Sequence, residues 1–276
     1  MIRTDGWQVQ TIEEFQSTLM SNNDVLALAV FGSALHAKGQ FDTWSDVDCL
    51  LVIADDAYSQ YFPTIEWLRP LSSIYTYSQS ETSYYGTTRV CFSDLRRLDV
   101  VITTLSRLEQ LAEWPRNPFW QGVRLLFSRS LSITRLLSQT WPAVPPTFLS
   151  PAEFDDLVNQ FWFKAMLASY KVVRNDCLVA LHLALDLTRD CCVVGMILRD
   201  RATGTHTHRD GGMGNPLAAR LGHVASADTP LGILDLIERS AIQFDQLAAE
   251  WSGTYRERRW PLLEWLEHIR RVLNAG

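Results

Sequence analysis

Three aspartates occupy positions where carboxylates are unusual. Asp46 and Asp48 lead into an apolar segment at residues 47–53, and Asp99 lies inside a second one at residues 98–102. Because side chains alternate between the two faces of a strand, Asp46 and Asp48 are expected to point the same way. Neighbouring carboxylates repel each other and are costly to bury, and a divalent cation removes both penalties. The spacing therefore predicts a Mg²⁺ site that also holds substrate phosphates.

A Gly-Ser pair precedes these acids and follows the apolar run at residues 25–31. Gly32 allows a ligand to approach the backbone closely, and the Ser33 hydroxyl and the following amides can donate hydrogen bonds to phosphate oxygens. Asp99 could bind a second metal ion, act as a general base on an incoming hydroxyl, or do both. The set predicts phosphoryl or nucleotidyl transfer, which depends mainly on positioning and charge neutralisation.

Each of these features also has a simpler interpretation. Aspartate pairs with this spacing occur on loops and at solvated strand ends, and Asp99 could form a structural salt bridge with Arg96 or Arg97. The combination of a Gly-Ser pair, two spaced acids and a third acid, all beside apolar strands, favours a functional site.

The elements around the acids follow from the hydrophobic pattern. Residues 25–31 and 47–53 are continuous apolar runs, which predict strands covered on both faces. Residues 88–102 predict a hairpin with its turn at residues 93–96, which places Asp99 on a strand.

Two helices are predicted beside these strands. Thr11 and Glu14 have the spacing of a capping box, so a helix is expected to begin at Thr11. A further helix is expected at residues 61–71, with Pro63 near its first turn.

The pattern changes after a segment rich in proline, residues 138–154, which is the best candidate for a linker. Long amphipathic helices follow, the first with Ser150 as its N-cap and Pro151 at its first position. The predicted fold class is a mixed α/β N-terminal domain, residues 1–145, followed by an all-α helical bundle, residues 146–276.

Composition limits the class of protein. The 276 residues carry a net charge of −6 and are 47% apolar, which indicates a folded protein and argues against a nucleic-acid partner. No apolar stretch reaches the length of about 18 residues that a membrane span needs, so a cytoplasmic protein is expected. The five cysteines lack metal-binding spacing and are expected to be buried free thiols.

The segment FGSALHAKGQFDTWSDVDCLLVI, residues 31–53, resembles the signature of the polymerase-β-like nucleotidyltransferase superfamily. The segment VCFSDLRRLDVVITTLSRLEQL, residues 90–111, resembles the third-carboxylate strand of one family of that superfamily, the streptomycin (aminoglycoside 6-) adenylyltransferase family. Residues 154–176 resemble a segment of that family's second domain. The resemblance implies a metal-bound nucleoside triphosphate on the first domain, with a helical domain closing over it.

The same resemblance implies a reaction, the transfer of AMP from ATP to a hydroxyl of a small antibiotic with release of pyrophosphate. Gly32 and Ser33 would hold the triphosphate, and Asp46, Asp48 and Asp99 would form the magnesium site. It implies a small-molecule acceptor and a nucleoside triphosphate as ligands. Whether the protein is a monomer or a homodimer is left open.

The resemblance also assigns Lys171 and Arg174 to the nucleotide phosphates. These residues are three apart in a predicted helix and so share one of its faces. The simpler alternative is an ordinary solvated face, with Asp176 nearby as a partner.

The acceptor stays open at this point. Residues 61–86 and the glycine-rich loop at residues 204–215 do not match the streptomycin enzymes, so a lincosamide nucleotidyltransferase is an alternative. A non-catalytic nucleotide-binding or antitoxin-like protein is a third possibility. A zinc site at His206, His208 and His223 is less favoured than a polar loop, because cysteine ligands and an HExxH helix are missing.

Overall fold

The computed structural model describes residues 6–35, 44–114, 117, 119, 122–141, 149–203, 215–221 and 229–275. The chain divides into two compact units, residues 1–144 and residues 145–276. The first unit has a hydrophobic core on each face of its sheet, and the second unit has one core of its own.

The described part of the first unit contains a six-stranded mixed sheet with the strand order β3-β4-β5-β2-β1-β6. Strands β2 and β5 are parallel neighbours, and the other neighbouring pairs are antiparallel. The strands are β1 Val25–Phe31, β2 Val47–Ile53, β3 Ile74–Glu81, β4 Gly86–Phe92, β5 Arg97–Thr104 and β6 Arg124–Ser128. The predicted α/β class is confirmed, as are the strands at residues 25–31 and 47–53. The strands β3 and β6 were not predicted.

Four α-helices accompany the sheet within the described residues, and only the first is long. They are α1 Trp7–Met20, α2 Tyr58–Tyr61, α3 Leu105–Leu108 and α4 Leu131–Leu137.

The predicted first helix is confirmed except for its start, and the predicted helix at residues 61–71 was wrong. The first helix begins at Trp7, not Thr11, and the Thr11 hydroxyl donates to the Trp7 carbonyl at 2.8 Å instead of capping the helix. Residues 61–71 do not form a continuous helix, because α2 ends at Tyr61 and Phe62 is extended. The residue before a proline is sterically disfavoured in the helical region, which explains the break before Pro63.

The central strands are buried on both faces, and this alternation places the acids. On one face Cys49 and Leu51 belong to the core that includes α1. On the other face Leu50 and Val52 join a second core with α4. Asp48 lies between Val47 and Cys49 in the strand, so its side chain is on the face of the second core, at the point where that core ends.

The second unit is helical wherever it is described, which confirms the predicted helical C-terminal part. Its helices are α5 Pro151–Val173, α6 Cys177–Thr203, α7 Asn215–Leu221, α8 Pro230–Trp251 and α9 Arg259–Ala275. The helices α5 and α8 meet in a stack of Phe161 on Phe244. The buried Asp245 carboxylate accepts hydrogen bonds from the Tyr255 hydroxyl at 2.6 Å and the Arg258 amide at 3.1 Å, which joins α8 to the start of α9.

Other sequence predictions have separate outcomes. All five cysteines are free, with Cys49 and Cys191 buried and the others half-buried. None of the described helices has the length and hydrophobicity to cross a membrane. The histidines considered for zinc, His206, His208 and His223, lie outside the described residues.

The predicted start of α5 is confirmed in detail. The Glu153 amide donates to the Ser150 hydroxyl at 3.2 Å, and the Glu153 carboxylate accepts from the Ser150 amide at 2.7 Å. These reciprocal bonds satisfy amides that have no partner within the helix, and Pro151 occupies the first turn.

Removing this cap should weaken the second unit. Replacing Ser150 by alanine should lower its free energy of unfolding by about 1 kcal/mol, because the Glu153 amide loses its acceptor. Ser150→Asp keeps a side-chain acceptor and should stay close to the unsubstituted protein in urea unfolding followed by circular dichroism. Equal losses in both variants would contradict the capping role.

Candidate active site

Strand register brings the predicted acids together at one end of the central strands of the sheet. Asp48 on β2 is paired with Asp99 on the parallel strand β5, and with Phe31 on β1. Arg89 on β4 is paired with Asp99 from the other side. Because paired residues project to the same face, Asp48, Asp99 and Arg89 form a row across three adjacent strands.

Gly32 follows the end of β1 and packs directly against the Asp48 carboxylate. Its φ of +64° lies in the left-handed region, and a Cβ added at this position would lie 2.3 Å from Asp48 Oδ2. Only glycine satisfies both constraints. Ser33 is half-buried beside the acids, with a long contact of 3.5 Å from its hydroxyl to the Asp46 carbonyl. The structure thus brings Gly32, Ser33, Asp46, Asp48 and Asp99 into one region.

Arginines pair with Asp46 and Asp99. Arg97 Nη2 lies 2.7 Å from Asp46 Oδ2, and Arg89 Nε lies 3.1 Å from Asp99 Oδ2. The alternative partners considered for Asp99 are used elsewhere, since Arg97 binds Asp46 and Arg96 binds Glu14.

Asp99 is the most constrained of these carboxylates. Its side chain is only 17% exposed, and its Oδ1 atom is buried with no hydrogen-bond partner among the described residues. Burial raises the pKa of Asp99, the negative charge of Asp46 raises it further, and Arg89 and Arg97 partly offset both effects. A buried acceptor without a partner is costly, so this oxygen is available for a proton or a cation.

Two small cavities flank Asp99. One, of about 160 Å³, is lined by Asp48 and Asp99 together with Phe31, Tyr85 and Arg89 among others. The other, of about 200 Å³, lies towards β3 and is lined by Asp99, Arg89 and Arg97 with further residues of β3 and β4. Asp99 and Arg89 border both spaces, so a group that enters either cavity meets them.

The carboxylates fit a magnesium ion that takes some of its ligands from the protein and the others from water and substrate phosphates. Within the described part of the chain, no group of three or more His, Cys, Asp or Glu side chains is arranged to enclose a metal ion. Mg²⁺, however, is commonly bound by one or two carboxylates, water and substrate phosphates. The paired Asp48 and Asp99, with the unpartnered oxygen of Asp99, supply such a partial site.

Lys171 and Arg174 lie at the end of α5, in the second unit. Lys171 Nζ is 3.0 Å from Asp176 Oδ2, which is the partner considered in the simpler interpretation. Arg174 immediately follows the last residue of the helix and is exposed. Their contact with nucleotide phosphates stays a prediction.

Sequence reasoning missed Arg89 altogether and considered Arg97 only as a structural partner of Asp99, not of Asp46. Arg97 carried a usable signal, because it stands two residues before Asp99 on a strand and so shares its face. Arg89 did not, because its position opposite Asp99 depends on the hairpin register. The predicted turn at residues 93–96 is confirmed, because β4 ends at Phe92 and β5 begins at Arg97. The ladder pairs Cys91 with Arg97, a register that the strand bounds alone do not give.

Gly32 offers a test of how tightly backbone and carboxylate are packed. Gly32→Ala should lower the free energy of unfolding by about 3 kcal/mol, since it adds a clash with Asp48 to the cost of a left-handed residue. Gly6→Ala is the matched control, because Gly6 has a φ of +79° with nothing near the added Cβ. It should lose only about 1–2 kcal/mol in chemical denaturation. Equal losses would contradict the close approach.

Replacing Asp99 should stabilise the fold at neutral pH. Because its pKa is higher in the folded chain than in the unfolded chain, ionisation lowers stability as pH rises through that window. Asp99→Asn should therefore melt at a higher temperature than the unsubstituted protein at about pH 7. The difference should shrink as the pH falls and vanish at about pH 3 and below, where the carboxyl is mostly neutral in both states.

Melting temperatures across this pH range test the idea, with Asp56→Asn as the control. Asp56 is exposed at the other end of β2, so its replacement should leave the melting temperature nearly unchanged. A lower melting temperature for Asp99→Asn at neutral pH would contradict the prediction.

Comparison with known proteins places the chain in a family. The family model described as streptomycin adenylyltransferase matches residues 9–198, more than half of the chain. No curated protein matches the chain.

Two solved structures show weak similarity. An aminoglycoside 6-adenyltransferase from Bacillus subtilis is 12% identical, with 98% of this chain and 99% of that chain covered and a TM-score of 0.38. A nucleotidyltransferase-like protein from Exiguobacterium sibiricum is also 12% identical, with 92% and 81% covered and a TM-score of 0.28. These scores are too low to support an argument, so the assignment rests on the family match. The chain belongs to the streptomycin adenylyltransferase family and is a nucleotidyltransferase.

Proposed function

We propose that this nucleotidyltransferase moves AMP from ATP to a hydroxyl of an aminoglycoside such as streptomycin, in a reaction that depends on Mg²⁺. One observation carries the proposal. The two carboxylates Asp48 and Asp99 are register partners on parallel strands, beside a glycine turn packed against one of them. This arrangement can hold a phosphate chain and an incoming hydroxyl next to each other.

The nucleotide side of the reaction is assigned to the first two strands. Gly32 and Ser33 would donate hydrogen bonds to the triphosphate, and Lys171 and Arg174 would contribute positive charge from the second unit. Asp48 and Asp99 would hold Mg²⁺, together with Asp46 once its carboxylate is released by Arg97. Bound there, the ion would neutralise phosphate charge and polarise the phosphorus under attack.

The acceptor side is assigned to Asp99. Its pKa is raised by burial, which makes it a better proton acceptor than an exposed aspartate. The acceptor oxygen forms a bond to the α-phosphorus, its proton passes to Asp99, and the bond from the α-phosphorus to the bridging oxygen breaks. Pyrophosphate leaves with the electrons of that bond.

An aminoglycoside is favoured over a lincosamide as the acceptor. The matching family model is named for streptomycin, and a net charge of −6 suits a cationic ligand. A non-catalytic nucleotide-binding protein is disfavoured, because all three carboxylates are present and two of them are paired side by side. We further propose that the protein acts in the cytoplasm, as a monomer or a homodimer, without nucleic-acid partners.

Pyrophosphate release with ATP, Mg²⁺ and a panel of aminoglycosides and lincosamides tests the proposal. We expect release with streptomycin, reduced about a hundredfold or more in Asp48→Asn and Asp99→Asn, since each removes a group needed at the reacting phosphate. Asp56→Asn is the matched control and should keep full activity, because it removes a carboxylate of the same unit that is exposed and outside the site.

The outcomes separate the alternatives. Release with a lincosamide alone would retain the mechanism and change the acceptor. Unreduced turnover in Asp48→Asn would contradict the assignment of the site. Nucleotide binding without release, across the whole panel, would contradict the proposed acceptor class.

A further inference from the structure

Two side chains that can move easily hold two of the site's carboxylates. Arg97 contacts Asp46 at 2.7 Å and Arg89 contacts Asp99 at 3.1 Å. The arginine side chains are 47% and 57% exposed, whereas the Asp46 and Asp99 side chains are 27% and 17% exposed. Each pair therefore joins a confined carboxylate to a guanidinium that can turn into solvent.

The partly buried carboxylate of each ion pair determines when the pair can break. An exposed guanidinium loses little on leaving, because water hydrates it readily. A carboxylate left beside two others, partly removed from water, would be strongly destabilised. The arginines can therefore leave only when another positive charge replaces them at the carboxylates.

We propose that Arg89 and Arg97 are positioning residues that couple metal binding to nucleotide binding. In the free protein they occupy the carboxylates Asp99 and Asp46. When the nucleotide arrives with its metal ion, they turn to oxygens of the triphosphate. This inference rests on the proposed function, since it concerns the same carboxylates and the same nucleotide.

The location of the arginines supports this exchange. Arg89 borders both cavities that flank Asp99, and Arg97 borders the one towards β3. The Arg89 side chain can thus leave Asp99 and still contact an anion bound in either cavity. Guanidinium groups bind phosphate oxygens through paired hydrogen bonds, so a triphosphate offers a partner that replaces the lost carboxylate.

A metal ion alone offers the arginines no such partner. It must compete with two ion pairs for Asp46 and Asp99, and the released guanidinium groups gain only hydration, whereas a triphosphate would give them new anionic partners. Metal binding to the free protein should therefore be weak, and the triphosphate should strengthen it. By thermodynamic linkage the metal ion strengthens nucleotide binding by the same factor.

Titration of the full-length protein with Mn²⁺, with free Mn²⁺ measured by electron paramagnetic resonance, tests the coupling. It is carried out with and without an ATP analogue whose bond between the α- and β-phosphates carries a methylene group and cannot be cleaved. A titration without protein corrects for Mn²⁺ bound by the analogue itself. For the unsubstituted protein we expect the analogue to tighten Mn²⁺ binding about tenfold or more.

The arginine variants carry the test. In Arg89→Gln, and more strongly in the double variant with Arg97→Gln, Mn²⁺ should bind the free protein more tightly, because its competitor is gone. The strengthening by the analogue should shrink to the part that direct contact between the metal ion and the phosphates supplies. Arg89→Lys retains the positive charge and should restore much of the coupling.

Arg69→Gln is the matched control, since Arg69 is an exposed arginine paired with Glu66 away from the carboxylates. It should behave as the unsubstituted protein does. A purely structural role for Arg89 and Arg97 would change the melting temperature of the variants without changing the ratio of the two Mn²⁺ affinities.

Failure of this inference is distinguishable from failure of the proposed function. Asp48→Asn removes a proposed metal ligand and should abolish Mn²⁺ binding. If it does, and the arginine variants bind Mn²⁺ to the free protein no more tightly than before, the coupling role is overturned alone. Mn²⁺ binding that persists in Asp48→Asn, or is absent from every protein, would overturn the metal site and this inference together.

Discussion

The parallel pairing of β2 with β5 is the constraint on which the site depends. It sets Asp48 directly beside Asp99, although the two residues are far apart in the chain. Both strands are central in the sheet and buried on both faces, so a slip in register by one residue would exchange the side chains that pack in the two cores. The hydrophobic core therefore determines the separation of the two carboxylates, and the geometry of the candidate site follows from packing.

This arrangement brings like charges together, and neighbouring groups partly compensate for the repulsion. Arg89 and Arg97 supply positive charge to Asp99 and Asp46. Gly32 leaves the room that the Asp48 carboxylate occupies, because any larger residue there would clash with it. The compensation is incomplete, since burial still raises the pKa of Asp99 and one of its oxygens has no partner among the described residues. Such residual strain is typical of sites that bind a ligand carrying the missing charge.

Local signals in the chain were reliable where one interaction dominates. Continuous apolar runs identified β1 and β2, because a strand buried on both faces has few polar positions. The Ser150 cap marked the start of α5, because the helix amides need an acceptor there. The same reasoning failed at Thr11, where a residue suited to capping lies inside a helix that begins earlier. A capping pattern is only a local preference, and packing of α1 on the sheet overrides it.

The sequence by itself determined the residue types of the site, the strands that carry Asp48 and Asp99, and the change to a helical second half. These follow from spacing and periodicity, which are local properties. Only the tertiary structure decided that Asp48 and Asp99 are neighbours and that Arg89 faces Asp99. Those contacts depend on strand order and on the register of the hairpin, which pairs Cys91 with Arg97. If Phe92 were paired with Arg97, Val90 would lie opposite Asp99 instead of Arg89. Strand order and register arise from packing between distant segments, for which no short stretch of the chain carries a signal.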